Sequence, residues 1–93
     1  MNKEQILKIL KSYNVERDFM PFGEDDIDNI ISNLTNELFG NKAFGWAEEI
    51  SDGKYDINIE FNESNKKTIN IVLKAWKSVD IFAEDLVNQI RES

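Results

Sequence analysis

A chain of 93 residues, 41% hydrophobic and 31% charged, has room for one modest core and reads as a single folded domain over 1–93. It contains no cysteine and no histidine, which removes disulfides, thiolate nucleophiles, imidazole bases and nearly all zinc or haem ligation. The formal net charge of −7 repels nucleic acid and acidic lipid, and it speeds encounter with a basic partner.

The first predicted element is a helix over 3–13, where Ile6, Ile9, Leu10 and Tyr13 recur at helical spacing and Leu7 flanks them. A connection over 14–23 holds the only proline, Pro21, within an apolar loop of Phe19, Met20 and Phe22 that should pack under a sheet. The second helix is expected over 24–39: Ile27, Ile30, Ile31, Leu34 and Leu38 form its buried side. Its first turn, Glu24-Asp25-Asp26, suits the positive end of the helix dipole, and Gly40 stops it.

Three strands follow near 43–51, 54–62 and 68–76, then a last helix over 79–91 with Phe82, Ala83, Leu86 and Ile90 inward and Ser78 or Asp80 as its cap. Asp52-Gly53 predicts a two-residue type I′ hairpin turn, since both residues tolerate positive φ. That turn pairs Ser51 with Lys54. Phe44 then lies opposite Phe61, Trp46 opposite Ile59 and Ile50 opposite Tyr55, all on the core face. Glu48 also falls on that face, as an inward charge that discourages edge-to-edge pairing. A three-residue loop, Ser64-Asn65-Lys66, would pair Phe61 with Ile69, Ile59 with Ile71 and Ile57 with Leu73. The expected architecture is therefore α+β, in the order ααβββα. Its three-stranded antiparallel meander is covered by helices on one face.

The opposite face carries the expected function. It places Glu49 opposite Asp56 and Gly45 opposite Glu60, with Val72 and Trp76 beside them and Asp56 opposite Lys74. Like charges directly opposite each other are destabilising, so a row of Glu49, Asp56 and Glu60 is a cost that folding does not require. A tryptophan ringed by carboxylates is suited to anchor and steer a basic partner. Asp25, Asp26 and Asp28 form a second acidic patch for the same kind of partner. The 24–28 run lacks the glycine and the distant glutamate of a calcium loop, so no metal is expected. The scattered glycines make no phosphate cradle, and no cofactor or enzymatic activity is expected.

The order helix, three antiparallel strands, helix over 24–91 resembles the layout of double-stranded-RNA-binding domains. That family contacts phosphates with lysines at the start of its last helix, where this chain has Ser78-Val79-Asp80-Ile81. The resemblance thus implies the fold and argues against RNA binding. In size, acidity and lack of catalytic groups the chain is similar to two classes of small microbial inhibitor. One is the immunity proteins of nuclease toxins, and the other is the phage anti-CRISPR proteins that imitate DNA. The leading expectation is a non-enzymatic inhibitor that masks a basic, nucleic-acid-handling protein. The alternatives are a DNA-mimic anti-CRISPR protein and an assembly subunit that dimerises through its sheet face. It is expected to be a monomer or weak homodimer. No stretch reads as a signal core or a membrane span, so a cytoplasmic location without membrane contact is expected.

Overall fold

The computed structural model describes residues 1–62 and 67–91. Helix α1 covers Lys3–Ser12 and helix α2 Glu24–Phe39, followed by a 3₁₀ turn at Gly40–Lys42. Strands β1 (Ala43–Ser51), β2 (Lys54–Phe61) and β3 (Lys67–Lys74) then lead to helix α3 (Val79–Arg91). The three strands form one antiparallel sheet in the order β1-β2-β3, so the fold is α+β.

The helix ends follow from local chemistry. Asn2 Oδ1 accepts the Gln5 N–H at 2.9 Å and caps α1. At its far end Asn14 stands at φ 66, its N–H reaching the Lys11 carbonyl and the Val15 N–H the Leu10 carbonyl. That is the paired bonding of a Schellman stop, in which asparagine replaces the usual glycine. Gly40, at φ 60, ends α2. Of the two candidate caps for α3, Ser78 is the one used: its Oγ accepts the Asp80 N–H at 3.1 Å.

The core gathers Ile6 and Leu10 of α1, Ile27, Ile30, Ile31 and Leu34 of α2, and Phe82, Ala83 and Leu86 of α3 around Ile57, Ile59, Ile69, Ile71 and Leu73 of the sheet. Phe61 is only half-buried and meets the Phe39 ring edge-on at 5.0 Å. The apolar loop divides. Phe19 is fully buried edge-on to Phe82 at 5.5 Å, Phe22 is half-buried, and Met20 stays exposed. Backbone bonds from Phe19 N–H to Ala75 and from Val79 N–H to Arg17 tie this loop to the entry of α3.

Strand β1 departs from the expected register by one residue. Ala43 pairs with Phe61, Gly45 with Ile59 and Ala47 with Ile57, and these small residues face the core. Phe44 (50% exposed) and Trp46 (half-buried), expected inside, stand on the other face beside an exposed Glu48. The cause is the approach of α2. A Cβ at Gly45 would sit 2.1 Å from Thr35 Oγ1 and 3.2 Å from Ile31 Cγ2, so only small side chains fit between β1 and the helix.

The turn accommodates the slip. Gly53 has φ 74, but Asp52 is not at positive φ, so the turn is not the type I′ expected from the dipeptide. Ser51 still pairs with Lys54, and a bulge between Glu49 and Ser51 leaves Ile50 out of the ladder and exposed. Between β2 and β3 the register differs by two: Ile57 pairs with Ile71, Ile59 with Ile69, Asp56 with Val72 and Lys54 with Lys74. An even shift preserves the faces, so the inward residues of these strands are those expected. The loop Ser64-Asn65-Lys66 lies outside the described residues.

Candidate partner-binding face

The face of the sheet turned away from the core is set out by the strand pairings. Phe44 lies opposite Glu60, Trp46 opposite Asn58 and Glu48 opposite Asp56 across β1 and β2. Across β2 and β3, Glu60 lies opposite Thr68, Asn58 opposite Asn70 and Asp56 opposite Val72. The Asn70 side-chain amide donates to Asn58 Oδ1 at 3.0 Å, bracing the middle of the surface. Phe44 and Trp46 stack with ring centres 5.4 Å apart and planes 28° from parallel. Val72, 52% exposed, lies on the far strand of this face, beside Asp56 and separated from the rings by β2.

Of the residues expected here, Asp56, Glu60 and Val72 are in place and Glu49 is not. Glu49 pairs with Tyr55 on the core side of the sheet. Its N–H donates to Glu24 Oε2 at 2.6 Å, and its carboxylate reaches the Tyr55 phenol. Burial of that phenol, then its hydrogen bond to Glu49, then the charges of Glu49, Glu24 and Asp52 raise its pKa above the usual 10.0. The place expected for Glu49 is taken by Glu48, which the one-residue slip turns outward.

Trp76 lies beyond the end of β3, past the Lys54–Lys74 pair that closes the ladder. Its ring covers the hairpin turn, so that a Cβ on Gly53 would come within 2.9 Å of it, yet the residue remains 53% exposed. Lys74 Nζ sits 5.9 Å from the ring centre. The expected Asp56–Lys74 facing does not occur. Among the described residues the ion pairs are Lys3–Asp80 and Arg17–Asp18, so Glu48, Asp56 and Glu60 have no cation at ion-pair distance. Lys54 and Lys74 face each other at the turn end of the sheet.

The second acidic patch also divides. Asp25 and Asp26 are exposed on the first turn of α2. Asp28 is turned inward: its Oδ1 accepts the Ala47 N–H at 2.8 Å, one turn along from the Glu24 bond to Glu49. Two carboxylates four residues apart on α2 thus satisfy alternate N–H groups on the outer edge of β1, covering an edge that would otherwise template further strands. The acidic start of α2 serves the fold as well as the dipole. The start of α3 is acidic too, with Asp80 paired to Lys3 at 3.2 Å.

Phe44, Trp46 and Glu48 stand on the face opposite to the one expected from the sequence. The signal for them is the regular alternation of Ala43, Gly45 and Ala47 with Phe44, Trp46 and Glu48. It separates a small set from a large one, and packing against α2 decides which set is buried.

Compared with protein-family models, curated proteins and solved structures, the chain matches none. Among the described residues no helix is long and apolar enough to cross a membrane.

Proposed function

We propose that this protein is a small, non-enzymatic, acidic binder that masks a basic, nucleic-acid-handling protein with the open face of its sheet, in the manner of an immunity protein. The observation that carries this reading is the pairing, on one unpartnered face, of the stacked Phe44–Trp46 rings with Glu48, Asp56 and Glu60. Rings of this kind dominate interface energetics, and carboxylates around them steer a positively charged surface into register. The stacked rings, and Asn58 between Asp56 and Glu60, favour this reading over DNA mimicry, which needs an uninterrupted run of charges spaced like phosphates.

The test is capture from the source cell with the wild-type chain and with a Glu48→Gln, Asp56→Asn, Glu60→Gln variant. The captured protein should be basic and nucleic-acid-handling, and the variant should retain little of it. With that partner purified, neutralising the three carboxylates should chiefly slow association and flatten its salt dependence, because field effects are screened over about 8–10 Å. Trp46→Ala should chiefly speed dissociation. Glu49→Gln serves as the control, since Glu49 lies on the core side of the sheet. Equal capture by both chains, or association indifferent to salt, would remove the open face from the mechanism.

A further inference from the structure

The open face has a feature that a generally acidic surface does not explain. Glu48 and Asp56 stand directly opposite each other across β1 and β2, where like charges repel, and no cation of the described residues lies within ion-pair distance of either. The next outward residue on β1 is Trp46, two positions along, and one face of its ring is taken by Phe44. Residues 44, 46 and 48 follow one another on the same face of β1, so Trp46 stands between Phe44 and the level of Glu48 and Asp56. Trp46 thus has an aromatic neighbour on one side along the strand and the Glu48–Asp56 pair on the other, with the Asn58–Asn70 pair across from it.

We infer that this stretch of the face is a recognition site for an arginine side chain of the partner, with the guanidinium laid on the free face of Trp46 and its N–H groups donated to Glu48 and Asp56. A guanidinium is planar and weakly hydrated, stacks on aromatic faces, and presents a fork of donors matched to carboxylates. A lysine ammonium is a compact, strongly hydrated point charge that can satisfy one carboxylate but cannot stack. Trp46 and Asp56 are diagonal neighbours across the ladder, a spacing of roughly 7–8 Å that a long side chain can bridge. The nearest lysines of this face, Lys54 and Lys74, are grouped at the turn end, and Lys74 already sits over Trp76. No cation of the described residues pairs with these carboxylates, which leaves them open to one from another molecule. This assignment rests on the open face being the docking surface, and it names the chemical group that the face selects.

The experiment compares hexa-arginine and hexalysine peptides, equal in length and charge, by NMR titration of the intact protein at physiological salt. Binding is read on the Trp46 indole N–H and the Asn58 side-chain amide. The arginine peptide should bind about tenfold more tightly than the lysine peptide, with the largest shifts at Trp46. Trp46→Leu should erase that preference while keeping the weaker charge-driven binding. Glu48→Gln, a conservative change at an exposed position, should weaken the arginine peptide more than the lysine peptide. Equal affinity for the two peptides would overturn the arginine assignment while leaving an acidic docking face standing. Absence of saturable binding by either would overturn both. Concentration-dependent broadening of these resonances without peptide would also overturn the assignment, because the face would then be occupied by a second copy of the chain.

Discussion

Gly45 lies directly beneath Thr35, so close that a methyl group on the glycine would overlap the threonine hydroxyl at 2.1 Å. Thr35 is fully buried, and its hydroxyl donates to the Ile31 carbonyl at 2.7 Å, so it cannot simply swing aside. This single approach fixes the distance between α2 and β1, and with it the face on which every β1 side chain stands. Gly45→Ala should destabilise the fold by on the order of 1–3 kcal/mol in a urea melt, as overpacking does. Adding Thr35→Ala should recover part of that loss. A neutral Gly45→Ala would mean that the helix stands further off than described.

Burial on the two faces of the sheet makes opposite forecasts for similar substitutions. Ile59 is 1% exposed, so Ile59→Ala should cost about 2–5 kcal/mol. Phe44 removes less area from water, and Phe44→Ala should cost less than about 1 kcal/mol. If the two substitutions cost the same in parallel denaturant melts, the register of β1 is wrong.

Asp28 and Glu24 hold the outer edge of β1 through its backbone. Asp28→Ala leaves the Ala47 N–H without its acceptor and should cost on the order of 1–3 kcal/mol. Amide hydrogen exchange at Ala47 should rise accordingly, and at Glu49 should follow when Glu24→Ala is made. With these two carboxylates bonded to the backbone, calcium gains no closed site there. Thermal melts in EDTA and in millimolar calcium should superimpose, and a calcium-induced rise of several degrees would revive a metal site at Asp25, Asp26 and Asp28.

Tyr55 makes stability fall at alkaline pH. Burial, then the hydrogen bond to Glu49 and the surrounding carboxylates, raise its pKa above the 10.0 expected of an unfolded chain. Its contribution is therefore complete below the unfolded value and is lost as pH rises through the folded one. Tyr13, raised first by its hydrogen bond to Glu37, shifts in the same direction. The difference in unfolding free energy between wild type and Tyr55→Phe, measured at about pH 9 and about pH 11, isolates the effect from lysine titration. Wild type should lose more across that interval than the variant. An identical loss in both would show that the phenol ionises as freely in the folded state as in the unfolded one.

Periodicity and turn chemistry are enough to place the elements and much of the core. Helical spacing of Ile27, Ile30, Ile31 and Leu34, Gly40 as a stop and the Asp52-Gly53 turn place α2, β1 and β2 without any knowledge of packing, because periodicity and turn chemistry act over a few residues. The faces of β2 and β3 were equally legible: Ile57, Ile59, Ile69, Ile71 and Leu73 alternate with polar residues, and an even error in pairing does not turn them over. Strand β1 was decided by tertiary structure alone. Its two alternating sets are Phe44, Trp46, Glu48 and Ile50 against Ala43, Gly45, Ala47 and Glu49, and hydrophobicity favours burying the first. The approach of Thr35 and Ile31 leaves no volume for it, so the small residues go in, and the aromatics turn outward with Glu48 to join Asp56 and Glu60. The composition of the candidate binding face thus follows from excluded volume between one helix and one strand, a quantity that residue order along β1 does not carry.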